Sequence, residues 1–289
     1  GVVWINSTNL FDASAGFGGY RESGFGREGG EEGLLDYLNE SSKPLIYVQK
    51  QKKNKNKKTE KNKPKTIDRT RKLFIGGLQK RSDSGYDKHI YSSNKLIGQV
   101  PLGNRKDIRD AVESASNESK WRSMSAHARA QILYYAAENL DLRKDEFAQT
   151  IQLMTGENGK DEVDQALENI FYFASWTDKF EGTIHNVPIR GVSLAMKEPL
   201  GVIAIVCPDN NPLLSFIHLV FSALCMGNTV VVVPSEKHPL CAIDMYQIFE
   251  TSDFPPGAIN IVTGNRDELS ETLSKHMQVD GIWYFGSKE

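Results

Sequence analysis

The sequence predicts an α/β chain built on a doubly wound parallel sheet, and two patterns carry that expectation. In the last third of the chain, four short apolar runs at 202–207, 229–233, 258–262 and 282–285 alternate with stretches of helical character. The runs are dominated by Val and Ile rather than alternating with polar residues, as strands buried on both faces of a parallel sheet require. Strand–helix alternation with short loops gives right-handed βαβ units. The second pattern is the helix starts. Pro212 and Pro239 suit first helical positions. Asn265 followed by Glu268 has the spacing of a capping box.

From the N-terminus, Val2-Val3-Trp4-Ile5 is strand-like, and residues 16–30 form a loop with seven glycines. Leu34, Leu35 and Leu38 share a face of a short helix, and Pro44-Leu45-Ile46-Tyr47-Val48 is a short terminal strand. Fewer than about 50 residues rarely fold alone, so this piece is expected to dock onto a larger body. Residues 50–65 include nine lysines and no apolar side chain, the composition of an extended linker. A polybasic patch is the alternative, although no aromatic residue interleaves the lysines for base stacking. Lys72-Leu73-Phe74-Ile75-Gly76-Gly77 then forms a strand ending in a turn. Residues 106–182 are mostly helical, with helices opening near Asp107, over 126–142 and over 161–180. The aromatic stripe of the third, Phe171, Tyr172, Phe173, Trp176 and Phe180, is expected in the core. The domain boundaries expected from these patterns are 1–48, 49–68 and 69–289.

Composition excludes several classes. Outside the Lys-rich stretch, 26 basic and 36 acidic residues remain, and a net charge of −10 is a poor match to polyanions, so no nucleic-acid partner is expected. Residues 211–234 carry no Asp, Glu, Lys or Arg, but Gly227-Asn228 interrupts them. They are expected as a buried helix, a turn and a buried strand rather than a membrane span. Cys207, Cys225 and Cys241 lack metal-site spacing and lie in apolar contexts. They are expected to be reduced core residues in a cytoplasmic protein with no metal site. The chain starts at Gly1 and stops within a motif, so it is expected to be a fragment.

Ligands of such sheets bind beyond the carboxyl ends of the strands. Here those ends are Pro208-Asp209-Asn210, Pro234-Ser235-Glu236, Gly264-Asn265 and Gly286-Ser287. Glu236, after the second strand, is placed to accept hydrogen bonds from ribose hydroxyls and to repel a 2′-phosphate, which favours NAD over NADP. Gly286-Ser287 opens a turn into a further helix whose backbone N–H groups suit a pyrophosphate.

These segments carry a family resemblance. Residues 73–289 resemble the N-terminal half of an aldehyde dehydrogenase, through Glu198-Pro199-Leu200-Gly201-Val202, Lys120-Trp121-Arg122, Thr155-Gly156-Glu157-Asn158-Gly159-Lys160, Tyr172-Phe173-Ala174-Ser175-Trp176, Phe254-Pro255-Pro256-Gly257 and Gly286-Ser287. Residues 1–48 resemble the family's C-terminal end, through Phe17-Gly18-Gly19-Tyr20 and the glycine-rich run from Ser23 to Gly30. The end precedes the beginning. That order, with the Lys-rich linker, resembles the junction of the aldehyde dehydrogenase 16 family, which fuses two units in one polypeptide.

The resemblance implies a Rossmann-like NAD-binding domain, here incomplete, and NAD-dependent oxidation of a small aldehyde to a carboxylic acid. It implies Asn210 as the amide donor to the oxyanion of the tetrahedral intermediate, with Pro208, Glu236, Gly264, Gly286 and Ser287 at the cofactor. It also implies that the nucleophilic cysteine and general-base glutamate lie beyond the Gly286-Ser287 turn. Two positions depart from the pattern. Asp209 replaces a tryptophan, and its charge would oppose the oxyanion if it faced the site. Val233 replaces a lysine that contacts the adenosine ribose, which implies weakened or lost NAD binding. Asn6 and the Phe17-Gly18-Gly19 loop match an active-site wall, or the glycines pack tightly. The strand at 44–48 implies a homo-oligomer through edge pairing. A catalytically silent scaffold unit acting in assembly or partner binding is the alternative function.

Overall fold

The structure is a computed structural model, and it describes residues 3–8, 10–35, 37–38, 70–188 and 191–286. The Lys-rich segment, the expected strand at 44–48 and Ser287 lie outside the described residues. In chain order the strands and helices begin with β1 (Phe17–Gly18), β2 (Arg27–Glu28) and α1 (Gly30–Leu35). Next come β3 (Leu73–Ile75), β4 (Leu78–Lys80), β5 (Asp87–Ser92) and β6 (Lys95–Pro101). A helical block follows: α2 (Arg105–Asn117), α3 (Lys120–Ser123), α4 (Ala126–Asp141), α5 (Lys144–Thr155) and α6 (Gly159–Thr177). After β7 (Thr183–His185) and β8 (Ser193–Ala195), the chain runs through β9 (Val202–Val206), α7 (Pro212–Cys225), β10 (Thr229–Val233), α8 (Leu240–Asp244) and α9 (Tyr246–Thr251). It closes with β11 (Ile259–Ile261), α10 (Arg266–Ser274) and β12 (Gly281–Tyr284).

Contacts divide the chain into two compact units. The smaller joins residues 1–48 to 180–198, and the larger comprises 49–179 and 199–289. Residues 180–198 thus belong to the same compact unit as the N-terminal segment.

In the larger unit, a six-stranded sheet runs in the order β12-β9-β10-β11-β3-β4. β12, β9, β10 and β11 are parallel, in register Tyr284↔Val206, Val233↔Val206 and Val232↔Ile261. Side chains alternate between two cores. Ile203, Ile205, Val230 and Val232 pack with Leu133 of α4, Ile170 of α6 and Phe216 of α7. Val202, Ala204, Val206, Val231 and Val233 pack with Ile108 and Val112 of α2 and Leu269 and Leu273 of α10. Both faces of the sheet are therefore covered by helices, the doubly wound arrangement expected.

The sheet is not wholly parallel. β3 and β4 close one edge as antiparallel neighbours. The pairing of β3 with β4 follows from the two-residue turn between them, Gly76 (φ 65°) and Gly77 (φ 71°). Two positive φ values match the right-handed twist of a tight hairpin, which returns the chain antiparallel.

The aromatic stripe of α6 departs from expectation. Phe171, Tyr172 and Trp176 are 45–57% exposed, Phe173 packs against the core as expected, and Phe180, half exposed, lies beyond the end of the helix. The face of α6 that packs inward is instead Val163, Ala166, Ile170 and Ala174. Tyr172 and Trp176, four apart, fall on the other side of the helix. α6 spans Gly159–Thr177 because Asn158 accepts from the Lys160 N–H and caps it. Pro239 is the N-cap of α8 rather than its first residue, whereas Pro212 is at N1 of α7 as expected. Residues 211–234 form the buried helix, turn and strand predicted, and no helix among the described residues is long and apolar enough to cross a membrane.

Within the smaller unit, β1 pairs antiparallel with β2, and β7 with β8. A Cβ on Gly18 would meet the Gly26 carbonyl oxygen, and one on Gly19 that of Ser23. Arg27 Nη1 donates to the Gly19 carbonyl oxygen at 2.6 Å. Gly18 and Gly19 thus take part in close backbone packing. Leu34, Leu35 and Leu38 are more than half exposed.

Candidate functional site

Strand order reverses once in the parallel part of the sheet. β9, β10 and β11 step one way, and β12 returns to the opposite flank of β9. Ligands of open α/β sheets bind beyond the carboxyl ends at this kind of switch point. The chain leaving β9 supplies Pro208 and Asp209, both half-buried, and Asn210, which is exposed. Asn211 takes a left-handed conformation (φ 45°), and Pro212 then starts α7. The first turn of α7 is held from another helix: Glu162 Oε1 accepts the Leu213 and Leu214 N–H groups at 2.7 and 3.0 Å. Burial pushes the Glu162 carboxyl up, and the two amide donors only partly oppose it.

Asp209 does not present a bare charge. Arg266 Nη2 lies 2.5 Å from its Oδ1, with the two side chains 12% and 10% exposed. Ser235 Oγ donates to the same oxygen at 2.8 Å, and the Lys237 N–H at 3.4 Å. Burial works against the charge, but the Arg266 guanidinium and these donors outweigh it and hold the carboxyl below its ordinary range. A buried carboxylate needs a cation, and this one has Arg266.

Glu236 is reached from two sides. Lys88 Nζ lies 3.1 Å from its Oε1, and the Arg266 N–H donates to its Oε2 at 3.0 Å. Val233 is 1% exposed and belongs to the α2/α10 core, so it offers nothing to the edge. Gly264 is buried, and a Cβ there would approach Leu269 Cδ1 at 2.8 Å and the Gly103 carbonyl oxygen at 2.9 Å. Its lack of a side chain is used in packing. Gly286 is half-buried just after β12.

The structure therefore places Pro208, Asn210, Glu236, Gly264 and Gly286 along the carboxyl edge of one sheet. Lys88 and Arg266 were not singled out from the sequence. The buried Asp209 was the available signal for Arg266, since its charge demands compensation. Lys88 gave none, being 148 residues away from Glu236 in the chain.

The three cysteines are free and buried. Burial pushes the Cys207 thiol up to about 12, only slightly offset by Arg266, and the Cys225 thiol up to about 11. Cys241 is raised well above its usual value, also by burial. Among the described residues, no cluster of three or more His, Cys, Asp or Glu is arranged to hold a metal ion.

Comparison with known proteins decides the family. The aldehyde dehydrogenase family model matches residues 1–42 and 79–289. The chain belongs to the aldehyde dehydrogenase family. It is 33% identical over 231 residues to retinaldehyde dehydrogenase 3 of Mus musculus, covering 75% of this chain and 44% of that protein. It is 32% identical over 233 residues to aldehyde dehydrogenase 1A1 of Homo sapiens, covering 75% and 46%. Among solved structures, an aldehyde dehydrogenase from Bacillus cereus in complex with NAD+ superposes with a TM-score of 0.70 at 27% identity, over 74% of this chain and 45% of that one. A betaine aldehyde dehydrogenase from Staphylococcus aureus, also with NAD+, gives 0.72 at 27% identity, over 74% and 45%. The chain spans less than half the length of these relatives. The aldehyde dehydrogenase resemblance read from its motifs, and the α/β nucleotide-binding fold, are thereby established.

Proposed function

We propose that this chain forms the nucleotide-binding half of an NAD-dependent aldehyde dehydrogenase unit, joined through residues 49–68 to the C-terminal end of a preceding unit, as in the aldehyde dehydrogenase 16 family. The observation that carries this reading is the shared carboxyl edge, with Asn210 after β9 and Glu236 after β10 beside the switch point. The residues present fit the adenosine ribose of NAD. Glu236 is 32% exposed on its side chain. A carboxylate has about four acceptor sites, and Lys88 and Arg266 use one on each oxygen. Acceptors remain for ribose hydroxyls. Pro208, Gly264 and Gly286 line the same edge, and Ser287 follows in sequence.

In this reading the reaction is oxidation of a small aldehyde to a carboxylic acid. The bound cofactor supplies the hydride acceptor. Asn210 donates its side-chain amide to the carbonyl oxygen as that oxygen gains charge, a contribution of about 3 kcal/mol to the barrier. Glu162 supports it by holding the turn from which Asn210 projects. Cys207, Cys225 and Cys241 are no nucleophiles in this scheme, since burial keeps their thiols protonated. Free thiols fit a reducing, cytoplasmic setting. The assembly read from residues 44–48 is a homo-oligomer, with neither nucleic acid nor membrane as partner.

A second reading has its own support. Glu236 and Asp209 are both engaged by basic residues, and Val233 is buried where the family has a ribose-binding lysine. That favours a silent unit that binds NAD weakly or not at all and acts in assembly. Titration of the protein with NAD, followed by tryptophan fluorescence, separates the two. Saturable binding that Glu236→Ala weakens supports the dehydrogenase reading. Absence of binding sinks it and leaves the scaffold.

A further inference from the structure

Lys88 is the least expected residue of the carboxyl edge. It comes from the β5–β6 hairpin, far from the βαβ units in sequence, yet its Nζ lies 3.1 Å from Glu236 Oε1 and 3.0 Å from the Glu236 backbone oxygen. The hairpin that carries it is braced. Ile90 and Val100 are 4% and 1% exposed. The Arg71 N–H donates to the Gln99 carbonyl oxygen at 3.1 Å. The Arg71 guanidinium grips both Asp244 oxygens at 2.7 and 2.8 Å. Lys88 therefore stands on a braced strand, with its side chain one-third exposed.

A carboxylate after the second strand discriminates between dinucleotides by charge. It accepts from the 2′-hydroxyl of an unphosphorylated ribose and repels a 2′-phosphate. That logic holds for a carboxylate whose charge is not compensated. Here Lys88 faces one oxygen of Glu236, and Lys237 is the next residue in the chain. The Lys237 Nζ is 48% exposed on its side chain and 4.0 Å from Asp209 Oδ2. Arg266 compensates Asp209. The cluster holds three cations, Lys88, Lys237 and Arg266, against two carboxylates, and the two lysines are its more exposed cations.

Resting on the nucleotide-binding reading above, we propose that Lys88 is a specificity-determining residue of this edge, and that with Lys237 it makes the site accept a 2′-phosphorylated adenosine ribose as well as an unphosphorylated one. Lys88 has three N–H donors, so it donates to the 2′-phosphate when that group is present while remaining beside Glu236. In this proposal Glu236 favours NAD without excluding NADP.

The test uses AMP and adenosine 2′,5′-bisphosphate, which differ only in a phosphate on the 2′ oxygen, titrated against the protein by isothermal calorimetry. The bisphosphate is expected to bind within about tenfold of AMP. Lys88→Met is expected to weaken the bisphosphate by about ten- to a hundredfold, the worth of a hydrogen bond to a charged group. AMP changes by less than about threefold in the same variant. Lys88→Arg keeps the cation and restores bisphosphate binding, which separates a lost charge from a disturbed hairpin. If AMP binds and the bisphosphate does not, the inference falls and the nucleotide reading stands. If Lys88→Met weakens both alike, Lys88 has no selective role and the inference falls. If neither ligand binds, both fall together.

Discussion

Replacing Arg266 by methionine tests how the carboxyl edge is held. The variant keeps the bulk of the side chain but removes the guanidinium 2.5 Å from Asp209 Oδ1, where the two side chains are 12% and 10% exposed. With charge centres about 4 Å apart and an effective dielectric near 20, the lost attraction is about 4 kcal/mol. Breaking a buried pair from one side typically costs about 3–5 kcal/mol, because the remaining charge stays desolvated. Ser235 Oγ and the Lys237 N–H still donate to Asp209 in the variant, so their contribution cancels. The expected loss is therefore about 3 kcal/mol, or about 10 °C in Tm for a unit of this size.

The pH dependence has a definite sign. In the wild type the Asp209 carboxyl is held below its usual value, so its stabilisation is complete at neutral pH and is lost only as pH falls through that lowered value. In the variant, burial is left without its cation and the carboxyl rises. The penalty is then largest at pH 7 and shrinks as acid neutralises the group. Urea denaturation at pH 7 and pH 5 reads both effects, and a cycle with Asp209→Asn isolates the pair. A coupling energy below about 0.5 kcal/mol, or a penalty that grows toward pH 5, would refute the ion-pair account.

Other perturbations address separate parts of the fold. Glu162→Ala leaves the Leu213 and Leu214 amides without their acceptor. It should cost about 2 kcal/mol and speed hydrogen exchange at those two amides. Glu162→Gln keeps an acceptor oxygen and should stay within about 1 kcal/mol of wild type. Because burial raises the Glu162 carboxyl, wild-type stability relative to the Gln variant should improve as pH falls from 7 toward 5, which chemical denaturation at the two pH values measures. Trp121→Phe removes the Nε1–H bond to the Leu224 carbonyl oxygen at 3.1 Å inside a fully buried site. A loss of about 1–3 kcal/mol in urea midpoint experiments is expected. Gly159→Ala places a methyl against the Ala148 carbonyl oxygen between α5 and α6. It should destabilise by about 1–3 kcal/mol, read as a lowered Tm. A thiol reagent added to the native protein should label Cys207 and Cys241 only after denaturant is added, since both are fully buried.

The parts of the fold legible in the sequence are those whose partners are close along the chain or whose chemistry allows one solution. The Val/Ile runs of β9, β10 and β11 announce burial on both faces, and Pro212 marks the start of α7 at N1. The β5–β6 hairpin escaped notice because polar residues interrupt its apolar ones and only Ile90, Val100 and Pro101 are buried. The aromatic stripe misled because size suggests burial, while helical phase directs Tyr172 and Trp176 away from the face that packs.

The site divides in the same way. The positions of Asn210 and Glu236 are legible because following a parallel strand places them at the carboxyl edge of the sheet whatever the rest of the chain does. Their electrostatic surroundings are not legible, because compensation is a long-range property. Arg266 reaches Asp209 across 57 residues, and Lys88 reaches Glu236 across 148. Only the folded sheet brings these charges together. The two departures from the family pattern then take on different meanings. Asp209, a charge where an indole was expected, is accommodated because α10 begins with an arginine. Val233 fills the α2/α10 core, and the only lysine ion-paired to Glu236 among the described residues enters from a separate hairpin. A position-by-position comparison finds no lysine at Val233, while the geometry holds one 3.1 Å from the Glu236 carboxylate.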